Sequence, residues 1–358
     1  MVDWSTIPKI DAHIHLMPPD VIEANQGCGD KFADFGSVSD YQRLMERYHI
    51  KAAVIMPFND PYMLSMDFNI SSVHDNLLSM CTGGRLFCFA DIDVRNSAAE
   101  TLRELERVMQ ERALLGVKIH PSNIGYPVDG AYFRPIFAWA AANGVPVEIH
   151  SYPRSSIPDD VCSPLRLRRV LHEHPGLCMS IAHLGGFQHE ELCGLDAYFN
   201  FSAVLPDLVE RCGTEQANRI LRAFGTDRLI FATDYPDSRC LRPAQIYDRY
   251  FELLGSMDFT QAEAERICRE NIKNMLRCGA KDGILSEKDT FSGGNAMKKP
   301  FLEAGQIVST HGVRGDVKVM PWADDPEFLL DFDTVYLGGK PVRVQSCRVQ
   351  KTCVLIKL

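Results

Sequence analysis

Short apolar runs alternate with stretches of helical periodicity over roughly 235 residues from the amino terminus. The apolar runs predict eight strands, at 7–10, 51–57, 86–92, 116–120, 145–150, 177–183, 198–202 and 228–234. The helical patterns lie between them, at 41–48, 68–80, 98–114, 133–142, 165–172 and 208–224. Strands that are apolar on both faces and alternate with helices indicate a parallel sheet. Eight such units at this length predict an α/β fold, the (β/α)8 or TIM barrel.

The chain changes character after the last of these strands. Thr260 and Glu263 have the spacing of a capping box, which predicts a helix that closes the barrel. A polar stretch with Gly and Ser follows, and it is typical of a linker. Short alternating runs broken by glycines then predict a small all-β, barrel-like module. The expected domains are a barrel at 1–278, a linker at 279–300 and a β module at 301–358.

Composition and charge narrow the classes of protein. With 46% hydrophobic and 24% charged residues, the 358-residue chain is typical of a globular enzyme rather than a disordered protein. Its net charge of -9 argues against direct nucleic-acid binding by the barrel. The 12 cysteines form no C-x-x-C pair, and no apolar run approaches the ~20 residues of a membrane span. We therefore expect a cytoplasmic protein that does not bind membranes. We also expect a small-molecule substrate and a homo-oligomer.

Polar side chains collect at the carboxyl ends of the predicted strands, where barrel enzymes build their active sites. They are His13 and His15 on strand 1, Lys118 and His120 on strand 4, His150 on strand 5, His183 on strand 6 and Asp234 on strand 8. Three or four neutral imidazoles with a carboxylate suit Zn²⁺ or a similar ion, which lowers the pKa of a bound water to ~7. Asp234 could bind that ion, accept the proton of the water, or do both in turn.

The pair His13-x-His15 alone allows two interpretations. Alternation along a strand places both rings on one face, which fits half of a metal site and equally a hydrogen-bonded pair of core histidines. The other strand-end residues favour the metal site, because 5 of the 11 histidines fall at such ends.

Five motifs, in chain order, resemble the amidohydrolase-2 branch of the metal-dependent amidohydrolase superfamily over residues 7–278. They are Asp11-Ala12-His13-Ile14-His15, Gly116-Val117-Lys118-Ile119-His120-Pro121, Pro146-Val147-Glu148-Ile149-His150, Ala182-His183-Leu184-Gly185-Gly186 and Phe231-Ala232-Thr233-Asp234-Tyr235-Pro236. The resemblance implies that His13, His15, His150 and Asp234 bind one divalent metal, expected to be Zn²⁺ with Mn²⁺ as the alternative. It also implies that His183 contacts the metal or its water, and that Asp234 is the catalytic base.

Lys118 has two interpretations. In superfamily members with two metals, a lysine at this strand end is carboxylated and bridges the ions. The branch resembled here usually holds a single metal, and Lys118 would then be a cation that binds an anionic substrate group. We expect it to bind substrate together with His120, which shares its face, and with Tyr152 and Arg154 after strand 5. Arg154 is the candidate for a substrate carboxylate.

The carboxyl-terminal segment resembles a different family. Residues 302–319 and the turn Thr310-His311-Gly312-Val313-Arg314-Gly315 are similar to the amino-terminal β-barrel of the ribosome maturation factor RimM. This resemblance implies the small ribosomal subunit as a partner. The second, PRC-type barrel of that family does not follow before Leu358, so a fused or truncated reading frame and a two-function protein are both open.

Two enzymatic readings fit the same metal ligands. In the first, the protein hydrolyses a small anionic carbonyl compound, a lactone or an amide, with a metal-activated water. In the second, it is a non-oxidative decarboxylase of the aminocarboxymuconate-semialdehyde or resorcylate type. A third reading, from the tail alone, is a ribosome maturation factor.

Overall fold

The fold is seen in a computed structural model of the chain. It describes residues 2–19, 22–23, 36–57, 69–153, 160–236, 245–277, 304–311, 315–321, 329–330, 332, 334–337, 340–350 and 353–358. The chain divides into two compact units, Met1–Gly294 and Asn295–Leu358. The predicted linker, 279–300, lies outside the described residues.

The first unit is built on eight parallel strands that pair in sequence order. They are β1 (Lys9–Ile14), β2 (Ile50–Ile55), β3 (Leu86–Ala90), β4 (Leu114–Ile119), β5 (Val147–Ile149), β6 (Met179–Ile181), β7 (Tyr198–Asn200) and β8 (Leu229–Ile230). The sheet closes on itself, since Ala12 N–H donates to the Phe231 carbonyl (3.1 Å) and a parallel bridge joins Ile14 to Tyr235. This closure confirms the predicted TIM barrel.

Helices follow the strands in the alternation that the sequence predicts. They are α1 (Val38–Arg47), α2 (Ile70–Met80), α3 (Ala98–Val108), α4 (Pro121–Ile124), α5 (Arg134–Asn143), α6 (Pro164–Glu173), α7 (Val204–Phe224), α8 (Ile246–Gly255), α9 (Gln261–Glu265) and α10 (Asn271–Arg277). Short 3₁₀ turns lie at Ala182–Gly185 and His189–Glu191, and a π-helical turn at Arg266–Glu270 joins α9 to α10.

The closing helix has the start that the sequence predicts. The Thr260 hydroxyl accepts from the backbone of Glu263, and the Glu263 carboxylate accepts from the backbone of Thr260, so the capping box is present. Farther along, Ile272 and Met275 pack with the strand residues Ile10 and Ile230 in one buried apolar cluster. The helix thereby covers one set of barrel residues and completes the first unit.

The second unit is all-β, as predicted. β9 (Gly305–His311), β10 (Asp316–Pro321), β13 (Ser346–Gln350) and β14 (Cys353–Lys357) form an antiparallel sheet in the order β13-β14-β10-β9. β11 (Thr334–Leu337) and β12 (Lys340–Arg343) form a separate hairpin. The buried core of the second unit is small, with Val319, Leu329, Val354 and Ile356 at its centre.

Within the part of the chain that the structure describes, no helix combines the length and the apolarity that crossing a membrane would require.

Candidate metal centre

Three ligand atoms converge where β1 meets the residues after β8. His13 Nε2 and His15 Nε2 are 3.3 Å apart, and Asp234 Oδ1 lies 3.1 Å from the first and 3.2 Å from the second. Ligands that hold Zn²⁺ tetrahedrally at ~2.0–2.1 Å are themselves separated by about 3.3 Å. The triangle therefore has the dimensions of one face of a tetrahedral zinc site, and these three residues could hold a metal ion.

The groups next to Nδ1 of the two imidazoles determine which ring nitrogen carries the proton and which carries the lone pair. His13 Nδ1 lies 2.6 Å from Glu148 Oε1, and His15 Nδ1 lies 3.0 Å from the Met56 carbonyl oxygen. Both partners are acceptors, so each Nδ1 carries a proton, and in its neutral form each ring has its lone pair on Nε2. Two lone pairs thus face the buried Asp234 Oδ1, to which no described residue donates a hydrogen bond of good geometry. Such an arrangement of electron pairs favours a cation at its centre.

The backbone holds Asp234 in an unusual conformation. Its φ is 66°, in the left-handed region that non-glycine residues rarely adopt. Asp11 stabilises the segment, because its carboxylate accepts from both the backbone N–H and the hydroxyl of Thr233 and from the Tyr247 hydroxyl (2.7 Å). Burial disfavours the charged form of Asp234, but the positive charge that His13 gains on protonation outweighs burial and holds the pKa of this carboxyl well below its usual range. The carboxylate is therefore ionised and able to bind a cation.

His183 and His150 lie next to the triangle and contact each other. His183 Nδ1 is 2.9 Å from the Ser202 carbonyl oxygen, and His183 Nε2 is 3.0 Å from His150 Nδ1. The rings of His183 and His13 have centroids 5.3 Å apart. Burial lowers the pKa of His183 to about 3, so this ring is neutral. The structure places His150 beside His183 and outside the triangle, and its role as a fourth metal ligand stays a prediction.

The turn after β6 determines the position of His183. His183 and Leu184 have φ of 58° and 52°, and Gly185 and Gly186 continue the left-handed run. A Cβ at Gly185 would lie 2.1 Å from Leu192 Cδ1, so the Leu192 side chain would have to move to admit it. Backbone strain of this kind persists only where the surrounding structure holds it, and it concentrates at functional sites.

Glu148 is the residue of this region that the sequence analysis missed. It is buried on β5, and its Oε1 lies 3.0 Å from Lys118 Nζ as well as 2.6 Å from His13 Nδ1. Burial opposes its charge, but Lys118 and His13 outweigh burial and lower the pKa of Glu148 to about 2. A signal was present, because a lone acidic residue two positions before His150 shares the strand face of that histidine.

The predicted substrate-side residues fall into different environments. Lys118 is buried and ion-paired with Glu148. His120 stacks on His150 with ring centroids 3.6 Å apart, and its Nδ1 accepts from Asn123 N–H at the start of α4. Tyr152 packs edge-on against His183, with centroids 6.4 Å apart. Arg154 lies outside the described residues. The structure thus brings His120 and Tyr152 to the histidine cluster, and substrate binding by these four residues stays a prediction.

The chain is similar to proteins of two kinds. A family profile described as Amidohydrolase matches residues 10–278, and one described as RimM N-terminal domain matches residues 302–358. The tail is 36% identical over 58 residues to the ribosome maturation factor RimM of Clostridium novyi, which is 16% of this chain and 36% of that protein. The chain therefore spans about a third of the length of the RimM relatives that it matches.

Several solved structures share the barrel fold, among them two whose names state a reaction. 5-Carboxyvanillate decarboxylase from Novosphingobium aromaticivorans, crystallised with manganese, has a TM-score of 0.58 and 14% identity, and the similarity covers 76% of this chain and 97% of that one. A probable 2-pyrone-4,6-dicarboxylic acid hydrolase from Acinetobacter baumannii has a TM-score of 0.55 and 15% identity, covering 76% and 100%. The Amidohydrolase profile covers about three quarters of the 358 residues, so the chain belongs to the amidohydrolase family and is an enzyme of that superfamily.

Proposed function

We propose that the protein is a metal-dependent hydrolase of a small anionic carbonyl compound, a lactone or an amide. The observation that carries the proposal is the convergence of two imidazole lone pairs on the ionised carboxylate of Asp234. His13, His15 and Asp234 would hold the ion, with His150 as the fourth ligand that the family resemblance implies. A divalent ion there would supply a water of pKa ~7 and polarise the substrate carbonyl. We expect Zn²⁺, with Mn²⁺ as the alternative.

The protein's own groups would manage the proton and the substrate. Asp234 would accept the proton that the attacking water loses, as a general base positioned beside it. His183, whose ring is held by the contact of Nδ1 with the Ser202 carbonyl oxygen, is the candidate to contact the metal or that water. His120, Tyr152, Lys118 and Arg154 are the candidates to bind the substrate, Arg154 through a carboxylate.

The alternative is non-oxidative decarboxylation, the reaction named for the Novosphingobium protein of the same fold. The metal ligands would be the same, so the product separates the two. Protein loaded with zinc or manganese would be incubated with a panel of lactones and a panel of hydroxybenzoates. Acid release from a lactone, absent in Asp234→Asn, would support the hydrolase. Release of CO₂ from a hydroxybenzoate without lactone turnover would make the protein a decarboxylase.

The tail has a separate candidate function, binding to the small ribosomal subunit. Its support is the match of residues 302–358 to the RimM N-terminal domain. Co-sedimentation of the full chain with purified small subunits tests it, with the chain truncated after residue 281 as the control. Equal sedimentation of both forms would show that the tail is not the element that binds the subunit.

A further inference from the structure

Four donors from four different strands surround the carboxylate of Glu148. Its Oε1 lies 2.6 Å from His13 Nδ1 and 3.0 Å from Lys118 Nζ, while its Oε2 accepts from Ser180 Oγ (3.2 Å) and Asn200 Nδ2 (3.1 Å). All five side chains are buried. Strand register explains the cluster, because Glu148 is paired with Lys118 on one side and with Ser180 on the other.

This environment leaves Glu148 little freedom. Two donor groups lie within 3.2 Å of each carboxylate oxygen, and turning the carboxylate would move it away from all four buried groups. Glu148 is therefore a fixed acceptor and not a mobile acid. Its charge is balanced locally by Lys118, whose pairing also disfavours carboxylation of that lysine, since a carbamate would place two anions side by side.

We propose that Glu148 is the positioning residue of the metal centre: it holds His13 with Nδ1 protonated and Nε2 directed at Asp234 and His15, and Lys118 is its counter-ion. A carboxylate on the outer nitrogen of a ligating imidazole fixes both the tautomer and the orientation of the ring and raises the basicity of the ligand. The inference rests on the metal site of the proposed function and not on the reaction catalysed there.

The chain contains a matched control for this pair. His74 Nδ1 lies 2.8 Å from Glu104 Oε1, between helices α2 and α3, so a second buried imidazole donates to a carboxylate away from the metal centre. Glu148→Gln and Glu104→Gln therefore make the same chemical change to the same kind of pair. Only the first removes the charge behind a metal ligand.

The experiment measures the dissociation constant of Zn²⁺ by chelator competition in the full chain and in both variants. We expect Glu148→Gln to bind Zn²⁺ 10–100-fold more weakly, as is typical for loss of such a partner, and Glu104→Gln to match the wild type within about twofold. Wild-type affinity in Glu148→Gln would overturn the proposal. Equal weakening in both variants would also overturn it, because the effect would then be general to the loss of an imidazole–carboxylate pair.

A second measurement keeps the proposal testable if Glu148→Gln fails to fold. Nitrogen NMR of histidine-labelled, metal-free wild type, with His13→Asn to assign the resonance, reports which ring nitrogen carries the proton. We expect Nδ1 at pH values where His13 is neutral, and a proton on Nε2 would contradict the assigned role. Neither readout requires turnover, so failure of the hydrolase assay leaves this test intact. If the wild type binds no Zn²⁺, that result would refute the metal site and with it this proposal.

Discussion

Asp234 and His13 are joined twice, although they lie at opposite ends of the barrel sequence. The backbone N–H of Asp234 donates to the carbonyl of His13 at 2.9 Å, and Asp234 Oδ1 lies 3.1 Å from His13 Nε2. The same contact that closes the barrel therefore aligns two of the proposed ligands.

The first prediction concerns metal content. We expect purified wild type to carry about one equivalent of a divalent transition metal, and His13→Ala and His150→Ala to lose it, because each removes a ligand from a small set. Elemental analysis after dialysis measures the ratio. His172→Ala, on the exposed surface of α6, is the control. Full metal content in the double variant His13→Ala, His150→Ala would refute the ligand assignment.

The second prediction concerns the base. Asp234→Asn keeps the size of the side chain and removes the carboxylate that would accept the proton. With metal added to saturation, turnover should fall at least ~100-fold, the low end of what a positioned general base contributes. Near-normal turnover by metal-loaded Asp234→Asn would assign proton transfer to another residue.

The third prediction concerns the buried ion pair. Lys118→Met leaves the charge of Glu148 without its cation, and loss of one partner of a buried pair costs about 3–5 kcal/mol of unfolding free energy. Urea unfolding in the presence of a chelator measures the change. The double variant Lys118→Met, Glu148→Leu should cost at least ~1 kcal/mol less than the two single changes summed, since residues in contact couple. Additive costs would mean that the two side chains do not stabilise each other.

The fourth prediction concerns acid stability. Burial opposes the charge of Glu104, but hydrogen bonds from Arg107, His74 and Ser71 outweigh it and lower its pKa from 4.5 to about 2. A carboxyl with a lowered folded-state pKa stabilises the protein above its unfolded value of 4.5, and that contribution is lost as the pH falls from 4.5 towards 2. The difference in urea midpoint between wild type and Glu104→Gln should therefore be constant from pH 7 to 5 and shrink below pH 4.5. A difference in urea midpoint that grows on acidification would contradict the predicted direction of this pH dependence.

The fifth prediction concerns the tail. The proposed ligands, Glu148 and the closing helix all belong to the first unit, and that helix ends at Arg277. A chain ending near residue 281 should keep its metal and its activity within about twofold of the full chain. Residues 297–358 alone should fold poorly, because a core of this size stabilises a sixty-residue module only marginally. Loss of metal on truncation would contradict the prediction for the shortened chain. A cooperative thermal transition of the isolated tail would contradict the prediction that it folds poorly.

The barrel and the ligand triangle were predictable because each depends on a repeating signal. Eight apolar strands alternating with helices indicate a parallel barrel, and strand ends in a barrel meet at one face, so His13 and Asp234 could be placed together without coordinates. Glu148 could not be interpreted in this way. Its role depends on a neighbour on β1, and one acidic residue in an apolar strand carries no information about which side chain it faces.

Smaller differences have local causes. The helix predicted at 208–224 begins at Val204 and is kinked at Gly213, whose φ of 77° interrupts the helical backbone. The predicted helix 98–114 ends at Val108, and Leu114 already belongs to β4, because an amphipathic pattern does not mark where a helix passes into an apolar strand. The direction of Lys118 followed from strand alternation, but its pairing with Glu148 required the structure.

The closure of the barrel at Ile14 and Tyr235 gives the molecule a seam. The first and last strands come from distant parts of the chain, so joining them costs more loop-closure entropy than pairing strands that are adjacent in sequence. A cation bound by both His13 and Asp234 would cross-link these two parts of the chain. Its binding energy would therefore stabilise the strand contact that has the largest entropic cost. Removal of the ion would then destabilise the closed barrel as a whole and not only the metal site. The earliest proteolytic cuts in the metal-free protein should fall beside the first and last strands.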